Sequence, residues 1–205
     1  MNTPLSILAI NGIPDIQKDD SIADIIIQAL ESDQIRPEEF DIFTIAHKII
    51  SKSEGRIVDM RTVEPGPEAR EYAEKLNKEN LLLLPENPDR SALEISERLS
   101  VYYNTTIGTI VTDTFGRPWR TGQVNVAIGL GNVPALINEK GNLDAYGKIL
   151  HVTQPAFADE IAAASGLVVQ KSKQTPVVLF RGLKWSKTKE SINLLLRPDK
   201  EDVFK

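Results

Sequence analysis

The chain has 205 residues, 41% of them hydrophobic and 26% charged, with a net charge of −5 and no cysteine. This is the balance of an ordinary globular protein, and the acidic excess excludes a broad nucleic-acid-binding surface. Without cysteine, disulfides, thiolate metal sites and cysteine nucleophiles are excluded as well. The opening MNTPLSILAI has no basic segment ahead of a long apolar stretch, and no apolar run reaches membrane-spanning length. No signal peptide, no membrane contact and a cytoplasmic location are therefore expected.

Taken in chain order, LSILAI (5–10) reads as a short buried strand, stopped by the turn signal NGIPD (11–15). SIADIIIQAL (21–30) reads as a helix: Ser21 and Asp24 have capping-box spacing, and Ile22, Ile25, Ile26 and Leu30 share one face. FDIFTIA (40–46) predicts a strand that runs into the polar HKIISKSEGR (47–56). PEAREYAEKLNKE (67–79) predicts a helix opened by Pro67, and NLLLL (80–84) a short strand ended by PENPD. SALEISERLSVYY (91–103) predicts a second capped helix, with Ser91 and Glu94 as the box. TIGTIV (106–111) and VNVAIGL (124–130) predict two strands on either side of a polar stretch. HVTQP (151–155) as a strand around His151, the helix AFADEIAAAS (156–165) and the strand PVVLF (176–180) complete the ordered part, and the polar tail 197–205 is expected to be loose. Strands and helices mix without a strict βαβ rhythm and no linker divides the chain. The expectation is an α+β (mixed α/β) fold over 1–205, neither Rossmann nor P-loop.

GLGNVP (129–134) begins like a dinucleotide glycine fingerprint, but Pro134 stands where the third glycine belongs and no helix with a suitably spaced acid follows. No phosphate loop of the G-x-x-x-x-G-K-[ST] type and no G-x-S-x-G elbow occurs. His47 and His151 are the two histidines, with no ligand-like spacing.

The stretch VTDTFGRPWRTGQ (111–123) holds more polar groups than a surface turn needs. Asp113 and Thr114, at the end of a buried strand, offer oxygen ligands suited to a hard divalent cation. Arg117 and Arg120 offer planar donor forks for phosphate or carboxylate, and Gly116 and Gly122 allow close backbone approach. The plainer alternative is a charged hairpin, with Asp113 capping a turn and both arginines solvated. In HKIISKSEGR, His47, Lys48, Lys52 and Arg56 concentrate positive charge, against the alternative of a solvated amphipathic helix start. Two polar clusters at two strand ends favour one shared cleft for an anionic ligand.

NGIPDI (11–16), DDSIADII (19–26), HKIISKSEGR, LLLLPENPDRSA (81–92), TDTFGRPWRTGQVNVAIG (112–129), DAYGKIL (144–150), FADEIAAAS (157–165) and PVVLFRGL (176–183) stand in an order that resembles the coenzyme F420-0:L-glutamate ligases, the gamma-glutamyl ligases of deazaflavin coenzyme biosynthesis. The resemblance covers nearly the whole chain. It implies that the substrates are coenzyme F420-0, L-glutamate and GTP, joined through an acyl phosphate, with Mg2+ or Mn2+, K+ as a further ion, and a homodimer. By this resemblance Asp113 and Thr114 fall on metal ligands. Ile13, Pro14, Asp15 and Ile16 fall on a nucleotide-contacting loop where backbone groups matter more than side chains. His47, Lys48 and Lys52 fall on a second nucleotide segment, and Gln170 and Lys171 on a third. Arg117, Arg120 and Gln123 belong to the signature block, the two arginines being assigned to a substrate carboxylate or phosphate.

The family carries a few dozen more residues where EYAEKLNKEN (71–80) here runs straight into LLLL, a deletion near 76–82. The missing segment includes an Ala-Gly-x-Asp-x-Ser-Asn motif whose acid binds metal, and Gln170 replaces a usual glycine. Glu54 and Asp15 are the candidates to replace the lost acid. Three readings stay open: a shortened active ligase, a ligase for a different carboxylate and amine pair, and a non-catalytic nucleotide-binding or partner subunit.

Overall fold

The computed structural model describes residues 4–59, 80–169 and 174–201. The helix expected over 67–79 and the candidates Gln170 and Lys171 lie outside the described residues.

A five-stranded sheet organises these residues, built from β1 (Ser6–Ile10), β2 (Asp41–Ala46), β5 (Ile107–Arg117), β6 (Arg120–Gly131) and β7 (Val177–Arg181) in the order β1-β7-β2-β5-β6. The β2·β5 pairing is parallel, and β1·β7, β2·β7 and β5·β6 are antiparallel, so the sheet is mixed rather than doubly wound. β3 (Ile57–Asp59) and β4 (Asn80–Leu82) form a separate antiparallel pair.

Both faces of the large sheet are covered, which the side-chain alternation of the central strands requires. Along β7, Val177 and Leu179 join the core under helices α1 (Ile22–Ser32) and α3 (Pro88–Tyr103). Val178 and Phe180 join a second core with Phe157 and Ile161 of helix α4 (Phe157–Ser165) and with Trp185. In β2, Ile42 faces the second core while Phe43 and Ile45 face the first. The charged end of β2 is satisfied inside the fold: Asp41, 1% exposed, accepts from Arg181 Nη2 at 2.7 Å.

Helix α1 starts as its sequence predicts, with Ser21 Oγ accepting from the Asp24 N–H. Helix α3 does not. It begins at Pro88 with Asn87 as its cap, whose Oδ1 accepts from the Arg90 N–H at 3.0 Å. Ser91 is instead a buried first-turn residue that donates to Glu54 Oε1 at 2.7 Å. The Asn-Pro pair is the stronger start, because proline at the first helical position loses no hydrogen bond and has its φ preset. HVTQP forms no strand: His151 is exposed, and this stretch pairs loosely with 137–139 through Ile137 N to Pro155 O and Glu139 N to Thr153 O.

The glycines of GLGNVP serve packing. A Cβ on Gly129 would stand 2.4 Å from the Pro88 carbonyl, and one on Gly131 would stand 2.4 Å from Ala92 O. β6 lies close against α3 because these positions lack side chains. Among the described residues, no helix is long and apolar enough to cross a membrane.

Candidate functional site

β2 runs without a loop into helix α2 (His47–Ser53), which places His47 and Lys48 at the strand end. β5 lies parallel to β2, with Ala46 opposite Thr112, so the residues after Thr112 emerge beside those after Ala46. The two polar clusters of the sequence thus meet. His47 Nε2 lies 3.1 Å from Asp113 Oδ1.

Around this contact is a cavity of about 400 Å³. Its walls are the loop 13–16, the β2–α2 junction with Lys48 and Lys52, Thr112 to Thr114 on β5, Asn125 on β6, Ser165 at the end of α4, and 174–176 ahead of β7. Ile13, Pro14, Asp15, Ile16, His47, Lys48, Lys52, Asp113 and Thr114, nine of the expected site residues, all line it. Ile13 and Ile16 are 5% and 3% exposed and belong to the core under α1. The loop therefore presents mainly backbone, Pro14 and Asp15 to the cavity.

His47 is buried, and burial pushes its pKa down, with Lys48 adding to the effect and Asp113 opposing it. Burial thus favours the neutral ring, and in that form its partners fix the tautomer. Nε2–H donates to Asp113, and Nδ1 accepts from the buried hydroxyl of Ser51 at 3.2 Å. Asp113 Oδ1 also accepts from the Thr114 N–H at 2.7 Å, while no hydrogen bond to Oδ2 is seen among the described residues. Lys52 Nζ pairs with Asp15 Oδ1 at 2.5 Å, and this contact holds the exposed Asp15 carboxyl below its usual range.

The donor set at this end of the cavity suits a hard cation. Among the described residues no donor reaches one carboxylate oxygen of Asp113, and Thr114 supplies a hydroxyl beside it, which fits magnesium or manganese completed by phosphate and water oxygens. Among the described residues no three acid or histidine side chains converge into an all-protein cage. Glu54 is committed elsewhere, accepting from Glu86 N at 2.8 Å and from Ser91 Oγ, and it does not line the cavity.

The signature arginines are not brought to this cavity. Burial ends at Thr112, but the strand itself continues to Arg117 and turns through Pro118 and Trp119 into Arg120, which pairs with Arg117. Arg117 lies about 13 Å of extended chain beyond Asp113. Both arginines are exposed at the hairpin tip, and Gln123, opposite Gly116, is exposed too. Asp113 caps no turn; it is a strand residue with Val126 as its partner.

Residues not anticipated from the sequence also line the site, above all Asn125 and Ser165. Asn125 had a signal, since asparagine is disfavoured inside a strand such as VNVAIGL. Ser165, closing an alanine-rich helix, had none.

A profile described as F420-0:Gamma-glutamyl ligase matches residues 12–80 and 76–182. Relatives named coenzyme F420:L-glutamate ligase include that of Methanopyrus kandleri, 33% identical over 215 residues, covering 82% of this chain and 83% of the relative. That of Methanothermobacter thermautotrophicus is 31% identical over 249 residues, covering 98% of this chain and 99% of the relative. That of Methanosarcina mazei is 32% identical over 244 residues, covering 97% and 94%. With eight sequence blocks in family order and the two polar clusters folded onto one cavity, the chain belongs to the F420-0:gamma-glutamyl ligase family.

Proposed function

We propose that this protein joins L-glutamate to coenzyme F420-0 in a GTP- and divalent-metal-dependent reaction of coenzyme F420 biosynthesis, and does so as a homodimer. The observation that carries the reading is the convergence of Asp113, Thr114, His47, Lys48 and Lys52 on one cavity. Carboxylate and hydroxyl suit a cation; the two lysines suit phosphate.

A carboxylate resists amine attack until one of its oxygens becomes a leaving group. In the proposed sequence a carboxylate oxygen of the coenzyme precursor attacks the γ-phosphorus of GTP. The bond to the β-phosphate oxygen breaks and GDP departs with that electron pair, leaving an acyl phosphate. The glutamate amine then attacks the acyl carbon, phosphate leaves with the C–O electron pair, and the amine gives up a proton. Such phosphoryl transfer needs positioning and charge neutralisation more than covalent help. Asp113 and Thr114 would hold the cation, which supplies charge neutralisation at the phosphates. His47 fixes the Asp113 carboxylate through Oδ1 and leaves Oδ2 for it. Lys52 would exchange its Asp15 partner for a phosphate oxygen, and the backbone of 13–16 would seat the nucleotide. Arg117 and Arg120, exposed at the hairpin tip, would take the anionic groups of the bulkier substrate.

A second reading, a non-catalytic nucleotide-binding subunit, has its own support. The alignment with the Methanothermobacter relative, 249 residues long, exceeds this 205-residue chain, as a deletion near 76–82 requires, and only Asp15 and Asp113 supply carboxylates to the cavity among the described residues. Incubation with F420-0, L-glutamate, Mn2+ and GTP or ATP, followed by mass spectrometry, decides between them. The ligase reading expects the glutamyl adduct with GTP. Heat protection by GTP without an adduct supports the binding subunit, and an adduct with a different amine supports an altered substrate pair.

A further inference from the structure

The hydrogen of the Thr114 hydroxyl is spoken for. Thr114 Oγ1 donates to Asn125 Oδ1 at 2.7 Å, Asn125 Nδ2 donates to Ser165 Oγ at 3.0 Å, and Ser165 Oγ donates to the Ala162 carbonyl at 2.6 Å. The order of donors in this chain is fixed from its far end. A serine hydroxyl has one hydrogen, and the helix carbonyl of Ala162 takes it. Ser165 Oγ, 1% exposed in the last turn of α4, can then only accept. This turns the Asn125 amide NH2 toward the helix and its oxygen toward β5, where it accepts from Thr114.

The consequence falls on the cavity. With its hydrogen directed at Asn125, Thr114 Oγ1 presents lone pairs and no donor to the space it shares with Asp113. Such a hydroxyl is a ligand for a cation and a poor neighbour for a bare phosphate oxygen. A free threonine hydroxyl would rotate to donate to the nearest anion, here the Asp113 carboxylate or an incoming phosphate.

We infer that Asn125 and Ser165 are positioning residues, a relay from helix α4 that holds Thr114 Oγ1 as an electron-pair donor toward a divalent cation shared with Asp113. Both would act through Thr114, to which the hydrogen-bond chain ties them. The inference rests on the cation reading of the site given above.

The test is a titration of the full-length protein with Mn2+ in the presence of GDP, read by electron paramagnetic resonance, for the wild type, Asn125→Leu, Asn125→Asp and Ser165→Ala. Removing an outer partner of a metal ligand typically weakens metal affinity by about 10- to 100-fold. That loss is expected for Asn125→Leu, with a smaller loss for Ser165→Ala. Asn125→Asp keeps an acceptor facing Thr114 and adds a negative charge beside the site; with Ser165 turning its hydroxyl from the Ala162 carbonyl to the new carboxylate, it is expected to bind Mn2+ at least as tightly as the wild type. The melting temperature of each metal-free variant is measured alongside. A relay that merely ties α4 to β6 would lower that temperature and leave Mn2+ affinity unchanged, and this result overturns the inference. So does an equal loss in Asn125→Leu and Asn125→Asp. If Asn125→Leu does not fold, Ser165→Ala, which removes the accepting hydroxyl with little bulk, decides by the same criterion. A wild type that binds no Mn2+ with GDP present removes the cation reading and this inference with it, a result distinct from a binding wild type with unaffected variants.

Discussion

The β5–β6 hairpin has two ends that share one sequence block and behave as different materials. At its base, Ile110 and Val111 are fully buried, β6 lies against α3 at Gly129, and Thr114 and Asn125 are joined by a hydrogen bond that reaches into α4. At its tip, Phe115 is 47% and Trp119 83% exposed, and the two arginines lie outside the cavity. The register changes at both junctions, between Val111 and Thr112 and between Gly116 and Arg117. The first shift makes Ile128 an extra residue opposite β5, the kind of bulge that re-aims neighbouring side chains. A rigid, packed base can hold a cation ligand within tenths of an ångström. An exposed arm cannot, and suits contact with something larger. A sequence signature thus marks a continuous stretch of chain, while the chemistry it encodes is divided by burial.

Substitutions should expose that division. The largest effect is expected from Asp113→Asn, which removes the carboxylate charge from the base: turnover in the glutamyl-transfer assay should fall by more than about 100-fold, beyond the range typical of outer partners. A variant within a few-fold of wild type would move the chemistry elsewhere. Next come changes to the packing of the base, read by denaturant unfolding. Ile110→Ala should cost about 2–5 kcal/mol, as for other fully buried aliphatic truncations. Gly129→Ala, whose new Cβ meets the Pro88 backbone at 2.4 Å, should cost about 1–3 kcal/mol through forced displacement of α3. At the tip the pattern should invert. Arg120→Ala is expected to change stability by no more than about 0.5 kcal/mol while raising the KM for F420-0, and an unchanged KM and kcat would take the arginine out of the reaction.

The smallest effect lies away from the hairpin and calibrates the rest. The Asp24 carboxyl is held below its ordinary 3.8 by the Ser21 hydroxyl and then by Arg98. Because the folded value is the lower one, its contribution is present above the unfolded pKa and lost as pH falls through the folded one. Melting temperature should therefore drop slightly less steeply below about pH 4 in Asp24→Asn than in wild type. The pair is half exposed, so solvent screening keeps this slope change small.

Burial explains which parts of this architecture could be read from the residues alone. Strands β2 and β7 and helix α1 announce themselves because their apolar spacing and Ser21 cap answer to local geometry. The full length of the hairpin did not, since TDTFGRPWRTGQ lacks apolar alternation and turns through Pro118 and Trp119, without the Asn-Gly type of signal. The meeting of His47 with Asp113 was foreseeable as two polar strand ends, but their distance depended on the parallel β2·β5 register. Ser165 was invisible for a different reason: its role comes from the order of donors along a hydrogen-bond chain, which has no periodicity.

The proposed chemistry depends on the base of the hairpin holding a cation against the phosphates of a nucleotide. Crystals grown with Mn2+ and GDP, with data collected at the manganese absorption edge, put this to the sharpest trial. An anomalous peak is expected within ligand distance of Asp113 and Thr114, with phosphate oxygens on its other side and Lys52 turned toward them. A bound nucleotide with no peak beside Asp113, or with the peak on other side chains, would refute it.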